Sequence, residues 1–192
     1  MVRGVPPVRN LRPGYTVDYP NRHKAGSHAT KMIVVVLLLI SAGVMLIITL
    51  GGWSKLEGMK PVNFFWAILY VIMAWYIARW NRGLLPLAAA LAILLLILTV
   101  IAGTGIAGTS WFDRNHAAFS APDSIFGGHG LGPDMLGLLT LLLAPIQILL
   151  IVFAMIGFAQ GWNVEVEVPK DQVGRRGKAG SSASPPPEPA AA

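Results

Sequence analysis

The sequence predicts an all-α integral membrane protein with four transmembrane helices and both termini in the cytoplasm. Hydrophobic residues make up 54% of the 192-residue chain and charged residues only 12%, about half the charged fraction of an average soluble domain. The charged residues lie outside four long apolar stretches. Lysine and arginine are also divided unequally between the segments that connect those stretches, and this division predicts the orientation.

Each apolar stretch approaches or exceeds the length of about 20 residues that a membrane-spanning helix needs. Because a backbone inside lipid must satisfy its own hydrogen bonds, the stretches are predicted to be helices. We expect them at about residues 32–53, 61–79, 83–110 and 134–162, within a transmembrane domain that covers residues 32–164. The first is expected to be a retained anchor, since its polar leader is too long and too rich in proline for a signal peptide.

The segments outside this domain are polar or of low complexity. The basic leader, residues 1–31, contains several prolines, and we expect it to be irregular and laid against lipid or a partner. Residues 165–192 form the expected cytoplasmic tail, which is predicted to be disordered from about residue 177 because of its Ser, Pro and Ala content.

Twelve of the 15 lysines and arginines fall on the side of the two termini, and only Lys55, Lys60 and Arg114 fall on the other. The positive-inside rule therefore places the termini in the cytoplasm and predicts a multi-pass protein of the plasma membrane. Aromatic residues near the helix ends, among them Trp66 and Trp162, are expected to form interfacial belts. Topology and anionic lipid account for the net charge of +6, so no nucleic-acid partner is predicted.

Two connections have composition typical of turns. The short segment 78–83 is predicted to be a tight inner turn in which Asn81 and Gly83 supply the turn chemistry, so the second and third helices should be antiparallel neighbours. The longest outer segment, 113–134, ends in "GGHGLGPD", with glycines at 127, 128, 130 and 132. We interpret this end as a turn of positive φ that leads into the fourth helix.

The beginning of the fourth helix supports that interpretation. Pro133 suits the first helical turn, and the Asp134 carboxylate is favoured at the positive end of the helix dipole. An alternative is a metal or substrate site formed by His116, Asp123, His129 and Asp134. Their spacing matches no defined ligand motif, so we predict no metal and no cofactor.

Small residues indicate helix packing. Gly103, Gly105 and Gly108 form a G-x-G-x-x-G pattern, but they end a membrane helix and lack the preceding strand that dinucleotide binding requires. They are therefore predicted to allow close helix contact, as are Gly157 and Gly161 near the end of the fourth helix.

Polar residues inside the predicted helices are few. Gln147 lies near the centre of the fourth helix beside Pro145, which is expected to kink it, and both are predicted to lie at a helix contact. The amide of Gln147 is expected to bond to Ser41, Thr49 or Thr99 and to hold helices together.

These features favour a non-catalytic accessory or assembly subunit of a larger membrane complex, of which a respiratory complex is one example. The expected partners are the lipid bilayer and other membrane subunits or further copies of the chain. Two alternatives stay open: a small oligomeric transporter or channel, and a membrane enzyme with an outer-face His/Asp site. No acidic or basic residue lies inside a predicted helix core, and no cysteine is present, so proton relays and thiolate chemistry are not expected.

Overall fold

A computed structural model describes residues 14–56, 59–104, 124–125 and 127–170. These residues are mostly helical and include four helices that are long and apolar enough to span a membrane, which confirms that part of the predicted fold class. The helices are α1 (Ala25–Gly51), α2 (Lys60–Ala78), α3 (Leu84–Thr104) and α4 (Pro133–Ala159).

Helix α1 begins at Ala25, within the segment that was expected to be irregular leader. The apolar stretch used for the prediction includes only residues that are apolar enough to lie in lipid. A helix can extend beyond that stretch, because it continues as long as its backbone hydrogen bonds can form. Ser27 and Thr30 are buried in this added portion, so it packs against the rest of the molecule. The expected last residues of the third helix, 105–110, lie outside the described residues.

A small antiparallel sheet joins the leader to the tail. Strand β1 (Tyr15–Asp18) pairs with β2 (Val166–Pro169), and a short 3₁₀ helix (Pro20–His23) follows β1. The expectation of an irregular leader is therefore wrong for these residues. Lys170 N donates to Gly14 O at 3.1 Å, which places Pro169 at the adjacent non-hydrogen-bonded position, where its missing N–H leaves no ladder bond unmade.

The four helices pack unequally. α1 contacts both α2 and α4, and the most extensive contact is between α3 and α4. α2 and α3 contact each other much less, although only residues 79–83 separate them. The sequence predicted antiparallel neighbours, and the two helices do contact each other, but that contact is small. α2 packs mainly on α1, while α3 packs mainly on α4.

Small residues are buried on both α3 and α4, the two helices with the most extensive mutual contact. Ala88 and Ala92 of α3 and Ala154 of α4 are fully buried, as is expected where two helices approach closely. Near one end, a Cβ added to Gly103 would lie 3.2 Å from Gly137 O, and one added to Gly137 would lie 3.5 Å from Gly103 O. The two glycines thus face each other.

The bundle has two different ends. The end that carries β1, β2 and the α2–α3 turn is called the terminal end, and the end that carries the α1–α2 connection and residues 127–132 is called the loop end. At the terminal end, Trp80 adopts a positive φ of 67° directly after α2. Asn81 N donates to Tyr76 O and Trp80 N to Ile77 O, which is the Schellman pattern that usually has glycine at this position.

This turn differs from the prediction, which assigned the turn chemistry to Asn81 and Gly83. The left-handed residue is Trp80, and Gly83 does not have a positive φ. A left-handed conformation costs an L-residue about 1–2 kcal/mol. Contacts of the Trp80 ring, described below, offset that cost.

Candidate functional site

Polar side chains from three helices meet at the centre of the bundle. Gln147 of α4 is fully buried, and its Nε2 donates to Ser41 Oγ of α1 at 2.9 Å. Tyr70 of α2 donates its hydroxyl to Gln147 Oε1, also at 2.9 Å. Ser41 Oγ in turn donates to Leu37 O. The amide of Gln147 is thus hydrogen-bonded at both ends, and one of its partners, Ser41, is among the three that the sequence suggested.

Pro145 does not share this position. Its side chain is exposed on the outside of the bundle, whereas the prediction placed it at a helix contact with Gln147. Two residues along an α-helix differ in direction by about 200°, so the two side chains cannot face the same neighbour. Pro145 lies inside α4, which continues on both sides of it.

The predicted packing glycines have different roles. Gly103 lies against α4, since an added Cβ would lie 2.7 Å from Leu141 Cγ. At Gly157 an added Cβ would lie 3.1 Å from the Trp162 ring and 3.2 Å from Leu85. Gly161 follows α4 with φ 62°, so its need for glycine comes from backbone conformation rather than from a packing face. Gly105 and Gly108 lie outside the described residues.

At the loop end, the glycine-rich turn is attached to the end of α1. Leu131 N donates to Gly51 O at 2.8 Å, and Ser54 Oγ donates to His129 O at 3.1 Å. The φ angles of Gly127, Gly128 and Gly130 are positive, as predicted. Gly132 has φ −68° because it is the residue that precedes α4, so the expectation of a positive φ there is wrong.

The proposed histidine and aspartate site is only partly described. His116 and Asp123 lie outside the described residues, and His129 and Asp134 are both exposed. Within residues 14–56, 59–104, 124–125 and 127–170, no group of three or more His, Asp or Glu side chains lies together. Asp134 lies in the first turn of α4, after Pro133. The described geometry therefore gives His129 no set of ligands to join.

At the terminal end, aromatic and cationic side chains form a compact group. The rings of Trp80 and Trp162 meet edge to face, with centroids 5.3 Å apart. His28 also meets the Trp80 ring edge-on at 4.9 Å, and Lys31 Nζ lies 4.0 Å from its centroid. We call Trp80, Trp162, His28 and Lys31 the tryptophan cluster. Trp162 is fully buried, so it does not belong to the interfacial belt in which the sequence placed it.

Hydrogen bonds connect this cluster to the segments around it. Trp162 Nε1 donates to Gln160 Oε1 at 3.0 Å, and Gln160 Nε2 donates to Thr30 Oγ1 at 2.9 Å. Arg22 Nε donates to Trp162 O at 3.0 Å, and Asn21 Nδ2 donates to Gly161 O at 3.0 Å. The 3₁₀ helix after β1 is thereby fixed to the end of α4.

The α2–α3 turn is fixed in the same way. Arg82 Nε donates to Phe158 O at 2.8 Å while its guanidinium lies over the Phe158 ring, and Lys31 Nζ donates to Ala78 O at 3.3 Å. Cations near the carboxyl end of a helix are also favoured by its dipole. Three of the basic residues that predicted the orientation, Arg22, Lys31 and Arg82, therefore bind backbone carbonyls at or just after the ends of α2 and α4.

The sheet adds two polar contacts. The Asp18 carboxylate, which is buried, accepts from Tyr19 N at 2.8 Å and lies 3.0 Å from His23 Nε2. Tyr19 donates its hydroxyl to Glu165 at 3.1 Å. This hydrogen bond to Glu165 raises the pKa of Tyr19 above its ordinary value, because the bond exists only in the protonated phenol.

The chain matches no protein-family model, no curated protein and no solved structure.

Several residues of the terminal end and of the bundle centre were not predicted from the sequence. The strand β2 has a detectable signal, because valine alternates with glutamate in "VEVEV" over residues 164–168, and a period of two is typical of a strand. Tyr70 had a weaker signal as a hydroxyl in the middle of an apolar helix. The meeting of Trp80 with Trp162 had none, since 82 positions separate them in the chain.

Proposed function

We propose that the protein is a non-catalytic, multi-pass protein of the plasma membrane with both termini in the cytoplasm. It acts as an accessory or assembly subunit of a larger membrane complex. The observation that carries the proposal is the pairing of β1 with β2. It holds Gly14 and Lys170 side by side, so the segments 1–13 and 171–192 leave the bundle from one place.

That place is suited to a partner. The two segments carry Arg3, Arg9, Arg12, Arg175, Arg176 and Lys178. The strand pair to which both segments are attached is held in place by the tryptophan cluster and by the hydrogen bonds of Arg22 and Asn21 to the segment after α4. A partner that binds beside Gly14 and Lys170 therefore meets a strand pair whose geometry is already fixed, which lowers the entropy cost of association.

The hydrogen bonds at the bundle centre favour an accessory subunit over a transporter. Tyr70 and Ser41 use both ends of the Gln147 amide, so this polar group is already paired within the protein. A transport pathway needs polar groups that are free to bind a solute. The proposal accordingly assigns Gln147 to the stability of the bundle.

Site-specific photo-crosslinking in native membranes tests the proposal. A photoreactive amino acid at Lys170, which is exposed at the terminal end, should give a crosslink to a discrete protein of another sequence. The matched control is Leu138, which is exposed on the apolar side of α4 and should give lipid adducts. If residue 170 gives no protein crosslink, and the purified chain alone moves solutes across liposomes, the accessory function is wrong.

A further inference from the structure

A cavity of about 180 Å³ lies within the loop-end half of the bundle. α2 and α3 form its sides, and residues of α1 and α4 form its back. Val62, Leu98 and Ile101 line the cavity and are also exposed on the outside of the bundle. The cavity therefore opens between α2 and α3, where these two helices make little contact, toward the surface that lipid would cover.

Two buried polar atoms at this cavity have no hydrogen-bond partner. Trp66 and Thr140 both line the cavity, with side chains 9% and 6% exposed. Among the described residues, neither Trp66 Nε1 nor Thr140 Oγ1 makes a hydrogen bond. The Trp66 ring lies beside that of Tyr70, with centroids 6.5 Å apart, but Trp66 Nε1 is not placed to donate to the Tyr70 hydroxyl oxygen, whose hydrogen is donated to Gln147. Trp66 is thus buried inside the bundle, contrary to its predicted place in an interfacial belt.

Unpaired polar groups of this kind indicate a ligand. Leaving a buried donor unsatisfied costs about 1–3 kcal/mol, and native proteins contain few such groups. The Trp66 indole can only donate, and a threonine hydroxyl can donate or accept. A group that satisfies both atoms needs an oxygen acceptor, as in a carbonyl. Among the residues that the structure describes, no Asp, Glu, Lys, Arg or His lines the cavity, so the group should be uncharged.

The volume and position of the cavity define the ligand further. An engineered cavity of about 150 Å³ holds a benzene molecule, so the space here fits one ring or a head group of similar size. Trp66 is six residues into α2, about 9 Å from its start along the helix axis. The opening between α2 and α3 allows an attached apolar chain to pass into the lipid.

We infer that the cavity binds an uncharged amphiphile whose carbonyl oxygen accepts hydrogen bonds from Trp66 Nε1 and Thr140 Oγ1, and whose apolar chain leaves between α2 and α3. Two sources share this chemistry: the ring carbonyl of a quinone and the ester carbonyl of an acylglycerol lipid. The inference rests on the proposed membrane location but not on any partner subunit. Its failure would leave the crosslink from Lys170 unaffected.

Direct binding measurements test the inference. The whole protein is placed in nanodiscs of diether lipid, which has no ester carbonyl, and the saturable retention of tritiated decylubiquinone and of tritiated dioctanoylglycerol is measured separately. At least one probe should bind with one site per chain. Trp66→Phe and Thr140→Val should each weaken binding about 3- to 10-fold, since each removes one hydrogen bond.

Two further variants separate binding from folding. Ala102→Leu adds volume to the cavity wall without removing either polar atom, and it should abolish retention. Trp75→Phe makes the same chemical change as Trp66→Phe at a side chain that is 58% exposed and does not line the cavity, so it should bind like the wild type. Circular dichroism confirms that each variant is folded, and Thr140→Val serves if Trp66→Phe is not.

The outcomes distinguish the possibilities. Retention of decylubiquinone alone identifies a quinone site, and retention of dioctanoylglycerol alone identifies a site for acylglycerol lipid. If neither probe is retained saturably by the folded wild type, the inference is wrong. It is also wrong if folded Thr140→Val and folded Ala102→Leu both bind the probes as tightly as the wild type.

Discussion

Tyr70 on α2 and Gln147 on α4 are joined by a hydrogen bond of 2.9 Å between the phenol hydroxyl and the amide oxygen. α2 and α4 are not among the helix pairs with extensive contact, so this bond reaches across the bundle. The nitrogen of the same amide donates a hydrogen bond to Ser41 Oγ on α1. One glutamine therefore links three helices through two bonds.

The coupling between these two residues can be measured with a double-mutant cycle. Gln147→Leu and Tyr70→Phe should each lower the free energy of unfolding, and their coupling energy should be about 0.6 and at most about 2 kcal/mol. The measurement is equilibrium unfolding by SDS in mixed micelles, followed by circular dichroism. The control pair combines Gln147→Leu with Tyr76→Phe, since Tyr76 is exposed on the same helix. Equal coupling in the two cycles would contradict the role assigned to the bond.

The left-handed backbone at Trp80 predicts an unusual order of stability. Trp80→Gly and Trp80→Ala both remove the contacts with Trp162, His28 and Lys31 and should both be less stable than the wild type. The glycine variant should be the more stable of the two by about 1 kcal/mol, because only alanine retains the strain of φ 67°. SDS unfolding of the two variants compares them directly. A more stable alanine variant would show that the turn relaxes when the ring is removed.

The loop end predicts that one glycine is far more sensitive than its neighbour. An alanine Cβ at Gly130 would lie 2.6 Å from Gly51 O, and the residue also has φ 66°. Gly130→Ala should therefore reduce stability by about 2 kcal/mol or more. Gly132→Ala, with φ −68° and open space around the added carbon, should cost less than about 1 kcal/mol, the ordinary penalty of alanine at an N-cap.

His129→Ala provides the chemical test of the same turn. The side chain is exposed, so the variant should fold with the stability of the wild type and with an unchanged metal content. Thermal unfolding and elemental analysis of both purified proteins give the two readings. The loss of one metal equivalent on substitution would instead support the outer-face His/Asp site.

The paired strands can be tested by a disulfide in a chain that has no native cysteine. Val17 and Glu167 are register partners at a non-hydrogen-bonded position, where Cα atoms are about 4.5 Å apart, within the range of a disulfide. Val17→Cys with Glu167→Cys should therefore crosslink under mild oxidation, as detected by a mobility shift. Val17→Cys with Glu165→Cys is the control, because a diagonal pair about 7–8 Å apart is too distant. Equal crosslinking of both pairs would exclude the register.

Orientation is predicted by the distribution of Lys and Arg. An impermeant thiol reagent should label Ser120→Cys in intact cells but label Ser182→Cys only after the cells are opened. The same two variants in opened cells show that both cysteines can react. The reverse pattern in intact cells would place the termini outside.

The four helices were predictable because the length and apolarity of a stretch decide its structure in lipid whatever its neighbours are. The helix ends were less predictable. Ala25 begins α1 in a polar segment, where burial of Thr30 and its bond to Gln160 extend the helix. These contacts join positions far apart in the chain, and no local pattern contains them.

The candidate sites show the same division. Gln147 was identified because a buried amide must find a partner, and Ser41 followed from the few polar residues available. Trp66 was misplaced because an aromatic residue near a helix end has the same composition signal whether it faces lipid or a neighbouring helix. The unpaired polar atoms of Trp66 and Thr140 lie at a cavity whose existence depends on the spacing between α2 and α3. No short motif in the sequence encodes that spacing.

The pairing of β1 with β2 also has a consequence for biosynthesis. The two strands are separated by about 150 residues, so β1 emerges from the ribosome long before its partner exists. At 5–20 residues per second, β1 waits roughly 8 to 30 s with its backbone groups unpaired. The two strands can pair only after α4 has been made and the Trp162 ring has reached that of Trp80. Pairing of β1 with β2 is therefore a late step, and a chain stalled before β2 displays an open strand edge that quality-control factors can bind.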